Sequence, residues 1–380
     1  MRLPEGCKSV SVRSPQVVVP VRFVAKGARP LKGPGPVRAA GKAFTRRTGD
    51  ISQRIRTAVQ FAFMGITLLV GAQFYLWVRY YETGGTTWKV SRPPGVEAWL
   101  PIASLMNTKA LLLTGEGPPH HAAGMFMLLA FLAISFLLRK AFCSWICPIG
   151  TISEGLWQLG QSLFGRAFLL PKWLDIPLRG IKYILLALFL YVVVSMPVHA
   201  IREFLSTPYG LIADVKMLDF FRLMGRATAI TLIVLLVGSV FVKNFWCRLM
   251  CPYGALMGLA GWLGPARIRR DPDACIDCAK CAKACPAGLP VDTALSIRSA
   301  ECTACLSCVH ACPAAGALDL RIGTRRRTRV LQPAAVAAVI LAIFLGIVGY
   351  ARITGQWHTH LPDAMYFELI PNARQFAHPR

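Results

Sequence analysis

The stretch AFCSWICPIG, residues 141–150, places two cysteines four positions apart and a proline directly after the second. The stretch FWCRLMCPYG, residues 245–254, repeats this pattern, and a long apolar run precedes each copy. A shift of 104 residues superimposes the prolines and the glycines as well as the cysteines, pairing Cys143 with Cys247 and Cys147 with Cys251. The sequence therefore predicts a duplicated unit in which a pair of thiols follows an apolar helix.

The composition is typical of a membrane protein with small extramembrane parts. Of the 380 residues, 54% are hydrophobic and 16% are charged, whereas about a quarter of a soluble domain is charged. The formal net charge is +25, which membrane topology explains without nucleic-acid binding. Twelve of the 13 cysteines fall into tight motifs and only Cys7 stands alone. Such motifs favour metal ligation over a disulfide framework.

Five apolar segments are candidates to cross a bilayer. They lie at about 57–78, 122–138, 181–198, 227–242 and 334–350. The first two and the next two form the duplicated unit, which predicts parallel repeats related by an axis along the membrane normal. A sixth apolar stretch, 96–115, contains a proline, an asparagine and a lysine, and we expect a re-entrant or interfacial element there.

The distribution of lysine and arginine predicts the orientation. Residues 1–56 carry thirteen lysines and arginines, residues 139–180 carry five, and residues 243–332 carry thirteen. By contrast, residues 79–121 and 199–226 carry four each, and the segment after residue 350 carries three. The positive-inside rule then places the N-terminus in the cytoplasm and the C-terminus in the periplasm of a bacterial inner membrane. All the motif cysteines would lie on the reducing side, where thiolates persist.

Two further cysteine runs follow the second copy: CIDCAKCAKACP (275–286) and CTACLSCVHACP (302–313). Both have the bacterial two-cluster ferredoxin spacing, in which the fourth cysteine of each run binds the other cluster. This pattern assigns one [4Fe–4S] cluster to a first cubane set, Cys275, Cys278, Cys281 and Cys312. It assigns the other to a second cubane set, Cys302, Cys305, Cys308 and Cys285. The spacing is too compressed for tetrahedral zinc. Electron transfer is the favoured role, and a purely structural role is the alternative.

The four cysteines of the duplicated motif (the membrane-end cysteines) allow three interpretations. Residues four apart share one face of a helix, so the two pairs would supply four thiolates to a further iron–sulfur cluster. Alternatively, each pair is a redox dithiol with a pKa lowered by nearby cations, which are Arg139, Lys140, Lys243 and Arg248. Third, they are small buried packing residues.

This order of motifs over residues 55–330 resembles the NapH/NosR/FixG (CcoG) group of membrane polyferredoxins. The resemblance implies electron transfer from quinol to a periplasmic reductase, support of nitrous oxide reductase, or copper reduction during oxidase assembly. This chain lacks the N-terminal flavin-type domain of NosR, and it differs from the simplest NapH plan in its fifth span and its tail, 351–380.

Other polar residues are weaker candidates. A quinone head group or a copper ion would find ligand types on the outer side, at His120, His121, Met196, His199, Arg202 and Glu203. Under the copper-reducing alternative, His199 and Met196 would bind the metal. The tail contains His358, His360 and Met365 without metal-site spacing, and we expect an ordered tail or a docking segment. The basic run RIGTRRRTR (321–329) would face anionic lipid.

We therefore predict an α-helical membrane protein with a small cytoplasmic α+β ferredoxin-like domain. The expected divisions are a basic disordered arm (1–56), a four-span repeat unit (57–263), the two-cluster domain (264–325), and a fifth span with a periplasmic tail (326–380). The predicted function is electron relay between the quinone pool or a cytoplasmic donor and a partner redox enzyme. Quinol dehydrogenation or cupric reduction would be its enzymatic form; a redox-sensing regulator is a further alternative.

Overall fold

The computed structural model describes residues 45–47, 49–165, 170–323, 328–359 and 361–377. Several features singled out in the sequence lie outside these residues: Cys7 and the rest of 1–44, the centre of the basic run at 324–327, and His360. The helices of the first three-quarters of the chain are α1 (Ser52–Glu82), α2 (Pro101–Thr114), α3 (Ala122–Leu138), α4 (Ala141–Trp145), α5 (Pro148–Phe164), α6 (Lys172–Ser195), α7 (Val198–Ser206), α8 (Pro208–Leu211), α9 (Ala213–Arg222), α10 (Arg226–Phe241) and α11 (Pro252–Leu263).

Three of the described helices are long and apolar enough to cross a membrane: α1, α6 and a C-terminal helix, Pro333–Ile353. A fourth candidate is the pair α9 and α10, which is bent by 79° at a break between the two helices. Helix α3 is apolar but has only 17 residues. The chain is a mostly helical membrane protein, and its count of five spans remains a prediction.

Helix α3 occupies the centre of the membrane part. Twelve of its 17 residues are buried, and α2, α11 and Pro333–Ile353 pack against it. Its counterpart in the repeat, α10, has one buried residue, Ser239, and packs against α5. The two copies of the repeat therefore have different surroundings, because the C-terminal helix covers only the first.

The stretch 96–115 folds as a 3₁₀ turn, Pro94–Trp99, followed by α2. Helix α2 has 14 residues and ends at Gly115, whose φ of 70° is readily adopted only by glycine. At 1.5 Å per residue, α2 is about 21 Å long, which is too short to cross a bilayer. It packs against α3, α6 and α7, in agreement with the prediction of a non-spanning element.

The ferredoxin part is built on a three-stranded antiparallel sheet with strand order β1–β2–β3. The strands are β1 (Arg267–Arg270), β2 (Leu318–Gly323) and β3 (Thr328–Val330). Two single-turn helices, α12 (Lys280–Ala284) and α13 (Ser307–His310), pack against each other beneath it. Because β3 pairs with β2, this part continues to residue 330, beyond the boundary at 325 expected from the sequence. The C-terminal membrane helix (α14, Pro333–Ile353) begins three residues later.

The described end of the N-terminal arm also differs from the prediction of disorder through residue 56. Arg46 forms a β-bridge with Ala314, and Arg47 donates to Asp319 Oδ1 at 2.7 Å. Helix α1 begins at Ser52. The last residues of the arm therefore attach the first membrane helix to the ferredoxin part.

The C-terminal tail is ordered over its described residues. Helix α15 (Asp363–Leu369) buries Tyr366 and Leu369 in a cluster with Phe74, Trp77 and Tyr81 of α1. The tail thus closes the end of the helix bundle opposite the ferredoxin part, as expected for an ordered tail.

Candidate metal centres

The first membrane-end pair lies at a break between two helices. Cys143 is in the single turn α4, whereas Cys147 is extended and is the residue before α5, which begins at Pro148. Proline is favoured at this first helical position because its missing N–H would have no partner there. The backbone N–H groups of Ile149 and Gly150 act on the Cys147 thiol, so the positive end of α5 faces the sulfur.

The second pair has the same construction. Cys247 lies in a π-helical turn, Trp246–Met250, and Cys251 is the extended residue before Pro252, the first residue of α11. The N–H of Gly254 donates to Cys251 Sγ at 3.3 Å. The two cysteines of each pair therefore do not lie within one continuous helix. The proline starts a new helix, and the second cysteine of each pair is presented by that helix's N-terminus.

The structure brings the four membrane-end cysteines together. The thiol of Cys247 lies close enough to Cys143, Cys147 and Cys251 for their negative charges to raise its pKa. The charge of Cys251 likewise raises the pKa of the Cys143 and Cys147 thiols. Burial, reinforced by the neighbouring thiols, raises the pKa of Cys143 to about 12 and that of Cys147 to about 11. Free thiols with such pKa values are poor nucleophiles, which weakens the dithiol interpretation. Metal binding would compensate four buried thiolates.

Buried cations surround this site. Lys140 and Arg248 line a small cavity together with Cys143, Cys247 and Cys305. Burial alone would lower the pKa of Lys140, but the negative charges of Cys143 and Glu301 raise it above its ordinary value. Arg248 pairs with Asp175 at 2.7 Å, yet its Nε and Nη1 have no hydrogen-bond partner among the residues that the structure describes. Buried positive charge of this kind fits an anionic thiolate-bound cluster.

The ferredoxin cysteines form the two groups that the spacing predicts. The charges of Cys312 and Cys275 act on Cys281, and Cys278 acts on Cys312, which groups the first cubane set. All four members of the second cubane set line one small cavity. The charge of Cys281, in the first cubane set, also acts on the thiol of Cys308, in the second. The two sets are therefore neighbours. Ligation of iron by these eight cysteines remains a prediction.

The loops around both cubane sets repeat an unusual backbone conformation. Asp277 and Ala279 have φ of 53° and 56°, and the residues 27 positions later, Ala304 and Leu306, have φ of 48° and 59°. Non-glycine residues adopt this left-handed conformation at an energetic cost. A left-handed residue on either side of a cysteine turns successive backbone N–H groups towards one point, which creates an anion-binding nest.

The described residues contain no group of three or more His, Cys, Asp or Glu side chains placed to hold a single metal ion. A four-iron cluster is much larger than one ion, and its cysteine ligands stand correspondingly further apart.

The second cubane set lies against the membrane-end cysteines. Ser144 Oγ donates to Thr303 O at 2.6 Å, Trp145 Nε1 to Ala304 O at 3.1 Å and Gln53 Nε2 to Cys305 O at 3.0 Å. Arg139 donates to Ile297 O at 3.2 Å and Ser299 O at 2.7 Å. The loop that carries Cys302 and Cys305 is thus bonded to the chain segment around the first membrane-end pair.

Comparison with known proteins identifies iron–sulfur binding domains in this chain. A family model described as a 4Fe-4S binding domain matches residues 121–168 and again residues 225–271, and one described as a 4Fe-4S dicluster domain matches residues 267–313. The first two matches start 104 residues apart, which confirms the internal repeat. The chain is 48% identical over 326 residues to the putative electron transport protein YccM of Escherichia coli (strain K12), covering 85% of this chain and 91% of YccM. This chain belongs to the YccM family.

More distant members of this family group carry other names. The ferredoxin-type protein NapH of E. coli is 29% identical, with 49% of this chain and 61% of NapH aligned. The regulatory protein NosR of Pseudomonas aeruginosa is 28% identical, with 42% of this chain and 22% of NosR aligned. The predicted membership of the NapH/NosR-type group is thereby confirmed, and these relatives support an iron–sulfur electron-transfer role. No solved structure matches the chain.

The YccM-family chain also has two buried charges that the sequence analysis overlooked. Lys182 of α6 is fully buried, and its Nζ lies 2.6 Å from both carboxylate oxygens of Glu301. Glu301 precedes Cys302, and it also lies 4.0 Å from Lys140. The sequence feature that could have revealed this pair is a lysine within an apolar run, because intramembrane ionisable residues are usually functional or paired.

The outer candidates lie at the opposite end of α3 from the cysteines, about 26 Å away along the helix. His121 is buried and faces Glu97, with Nδ1 and Oε1 3.6 Å apart. His199 is exposed on α7, Met196 is half-buried with its carbonyl bonded to Lys109, and Arg202 pairs with Glu116. A quinone or copper site among these residues and Glu203 remains a prediction.

Proposed function

We propose that this protein relays single electrons along a row of three iron–sulfur centres. The row begins at the membrane-end cysteines, continues through the second cubane set and ends at the first cubane set. The observation that carries the proposal is the shared cavity in which Cys143 and Cys247, one from each repeat, face Cys305 of the ferredoxin part. When bound, iron–sulfur clusters would supply one-electron chemistry.

The residues of the chain would bind, neutralise and shield these centres. The membrane-end cysteines come from two repeats, so the site is complete only when both copies fold against each other. Cys302, Cys308 and Cys285 are buried, whereas Cys278 of the first cubane set is exposed. Exposure at Cys278 supports exchange of electrons with a partner at that end, and burial of the second set supports an internal role.

We further propose that the row lies on the cytoplasmic side of a bacterial inner membrane and connects the quinone pool, or a cytoplasmic donor, with a partner redox enzyme. The positive-inside pattern supports the orientation. A quinone at the outer histidines would be separated from the cysteines by the length of α3, so we place exchange with quinone near the membrane-end cysteines instead.

Anaerobic purification with iron, acid-labile sulfide and EPR measurement tests the proposal. Two cubanes contain about eight irons, and a third cluster adds two or four. We expect more than eight in the wild type and about eight in the variant with all four membrane-end cysteines changed to Ala. About eight irons in both proteins would remove the third centre. A matched variant, Cys275→Ala with Cys278→Ala, should instead disturb the first cubane signal.

A further inference from the structure

Two adjacent cationic residues separate α3 from α4. Arg139 has φ of 64°, a left-handed conformation that a side chain disfavours. Arg139 and Lys140 are only 1% and 3% exposed. Burial of two positive charges costs free energy unless negative groups lie nearby. The groups that these two side chains contact must therefore stabilise their charges.

Lys140 faces the membrane-end cysteines. Its Nζ lies 4.0 Å from Glu301 Oε2 and beside Gly254, where an added Cβ would stand 3.4 Å from Nζ. The N–H of the same glycine donates to Cys251 Sγ. Cys143, Cys247 and Cys251 all act on the charge of Lys140. The ammonium group therefore lies beside three of the four membrane-end thiols.

Arg139 points to the neighbouring centre. Its guanidinium donates to Gly261 O at 3.1 Å as well as to the carbonyls of residues 297 and 299. These bonds hold it against Cys302, on which its positive charge acts. One turn of the chain thus presents one cation to the membrane-end cysteines and one to the second cubane set.

We propose that Arg139 and Lys140 are tuning residues, each of which raises the reduction potential of one centre, so that the two potentials stay close enough for an electron to pass between the centres. An added electron is a negative charge, and a buried cation beside the centre stabilises it strongly at low dielectric. The transfer takes one electron from one centre and gives it to the other; no bond forms and no proton moves. This inference rests on the proposed function, because both centres must carry iron.

The test is an anaerobic redox titration of the full-length protein in detergent, monitored by EPR, with iron content measured alongside. Lys140→Met should reduce the equilibrium constant for reduction of the membrane-end centre at least tenfold, which is about 59 mV for one electron. The potential of the first cubane set should not move. Arg139→Gln should produce the same fall at the second cubane set only. In the double variant Arg139→Gln, Lys140→Met, the potentials of the membrane-end centre and of the second cubane set should both fall.

Charge-conserving variants separate tuning from structural support. Lys140→Arg and Arg139→Lys should keep potentials near those of the wild type. Lys89→Met, which removes a lysine from an exposed ion pair at the far end of the bundle, should leave every potential unchanged. Glu301→Gln removes a negative charge near both centres, so both potentials should rise.

Unchanged potentials in Lys140→Met with full iron content would overturn the inference, as would an equal fall in Lys140→Arg. If Lys140→Met loses iron, two other variants test the inference instead. A wild-type potential of the membrane-end centre in Lys140→Arg, together with a raised potential in Glu301→Gln, supports tuning. Any other pair of results overturns the inference. Failure of the proposed function appears differently, as about eight irons in the wild type with no membrane-end signal.

Discussion

Lys182 Nζ in helix α6 lies 2.6 Å from both carboxylate oxygens of Glu301, the residue before the first cysteine of the second ferredoxin run. The pair joins a candidate membrane span to the loop that carries Cys302. Tyr183, the next residue of α6, also donates to Glu301 at 3.1 Å. The ferredoxin part is therefore joined to the membrane part by buried charge as well as by side chains that donate hydrogen bonds to its backbone carbonyls.

Removal of Lys182 should weaken this junction. Lys182→Met leaves Glu301 buried with only Lys140 and Tyr183 as partners, and breaking a buried pair costs about 3–5 kcal/mol. We expect a lower temperature for loss of iron–sulfur absorbance on heating in detergent. The double variant Lys182→Met, Glu301→Gln should recover most of this loss. Equal instability of the single and double variants would show that the ion pair itself is unimportant.

The equivalent glycines of the two repeats should respond differently to the same substitution. A Cβ at Gly150 would overlap the carbonyl oxygen of Cys143, whereas a Cβ at Gly254 would meet the flexible end of Lys140 at 3.4 Å. Overpacking of this kind typically costs about 1–3 kcal/mol. Gly150→Ala should therefore lose iron from the membrane-end centre, and Gly254→Ala should retain it. Iron analysis and EPR of the two purified variants would reveal a reversed or equal effect.

The two cubane sets should differ in sensitivity to oxidants. Cys278 is exposed, while three cysteines of the second set are buried, and solvent access governs attack on cysteine sulfur. During titration with ferricyanide, the EPR signal of the first set should disappear severalfold faster than that of the second. Cys278→Ser, which perturbs only the first set, assigns the two signals. Simultaneous loss would contradict the proposed difference in shielding.

Stability at the outer end should depend on the charge of His121. Burial alone would lower the pKa of His121, but Glu97 and Asp214 raise it above its ordinary value despite Arg92 and the neighbouring His120. A raised folded-state pKa adds stability that is present below about pH 6.5 and lost as the pH rises through the folded value.

His121→Gln removes this contribution. The wild type should unfold at a higher temperature than the variant at about pH 6, and the difference should shrink towards about pH 9. His199→Gln, at an exposed histidine, is the matched control and should lower the unfolding temperature little at any pH. A constant difference between wild type and His121→Gln across this range would exclude the protonated histidine as the cause.

Much of the site was accessible from the sequence because cluster ligation depends on local spacing. The two ferredoxin runs predict which cysteine leaves its own run for the other set, and this assignment remains a prediction. The 104-residue repeat likewise predicts that the membrane-end thiols form equivalent pairs. Apolar length located all five candidate helices to within a few residues at most ends, although α1 and α6 begin earlier than expected.

Other features required the tertiary structure. Local spacing suggested that Cys143 and Cys147 share a helix face, but Cys143 lies in α4 and Cys147 is the extended residue before Pro148, where α5 begins. The repeated motifs give no sign that α14 packs against α3 and not against α10. Nor does spacing reveal that Lys182 reaches Glu301 across 119 residues. Ligand spacing and apolar length are properties of neighbouring residues, so the sequence alone determined the internal repeat and the positions of the apolar helices, and it predicts the cubane sets. Which buried charges meet, and which thiols face each other, depends on packing between distant segments, and only the fold decided it.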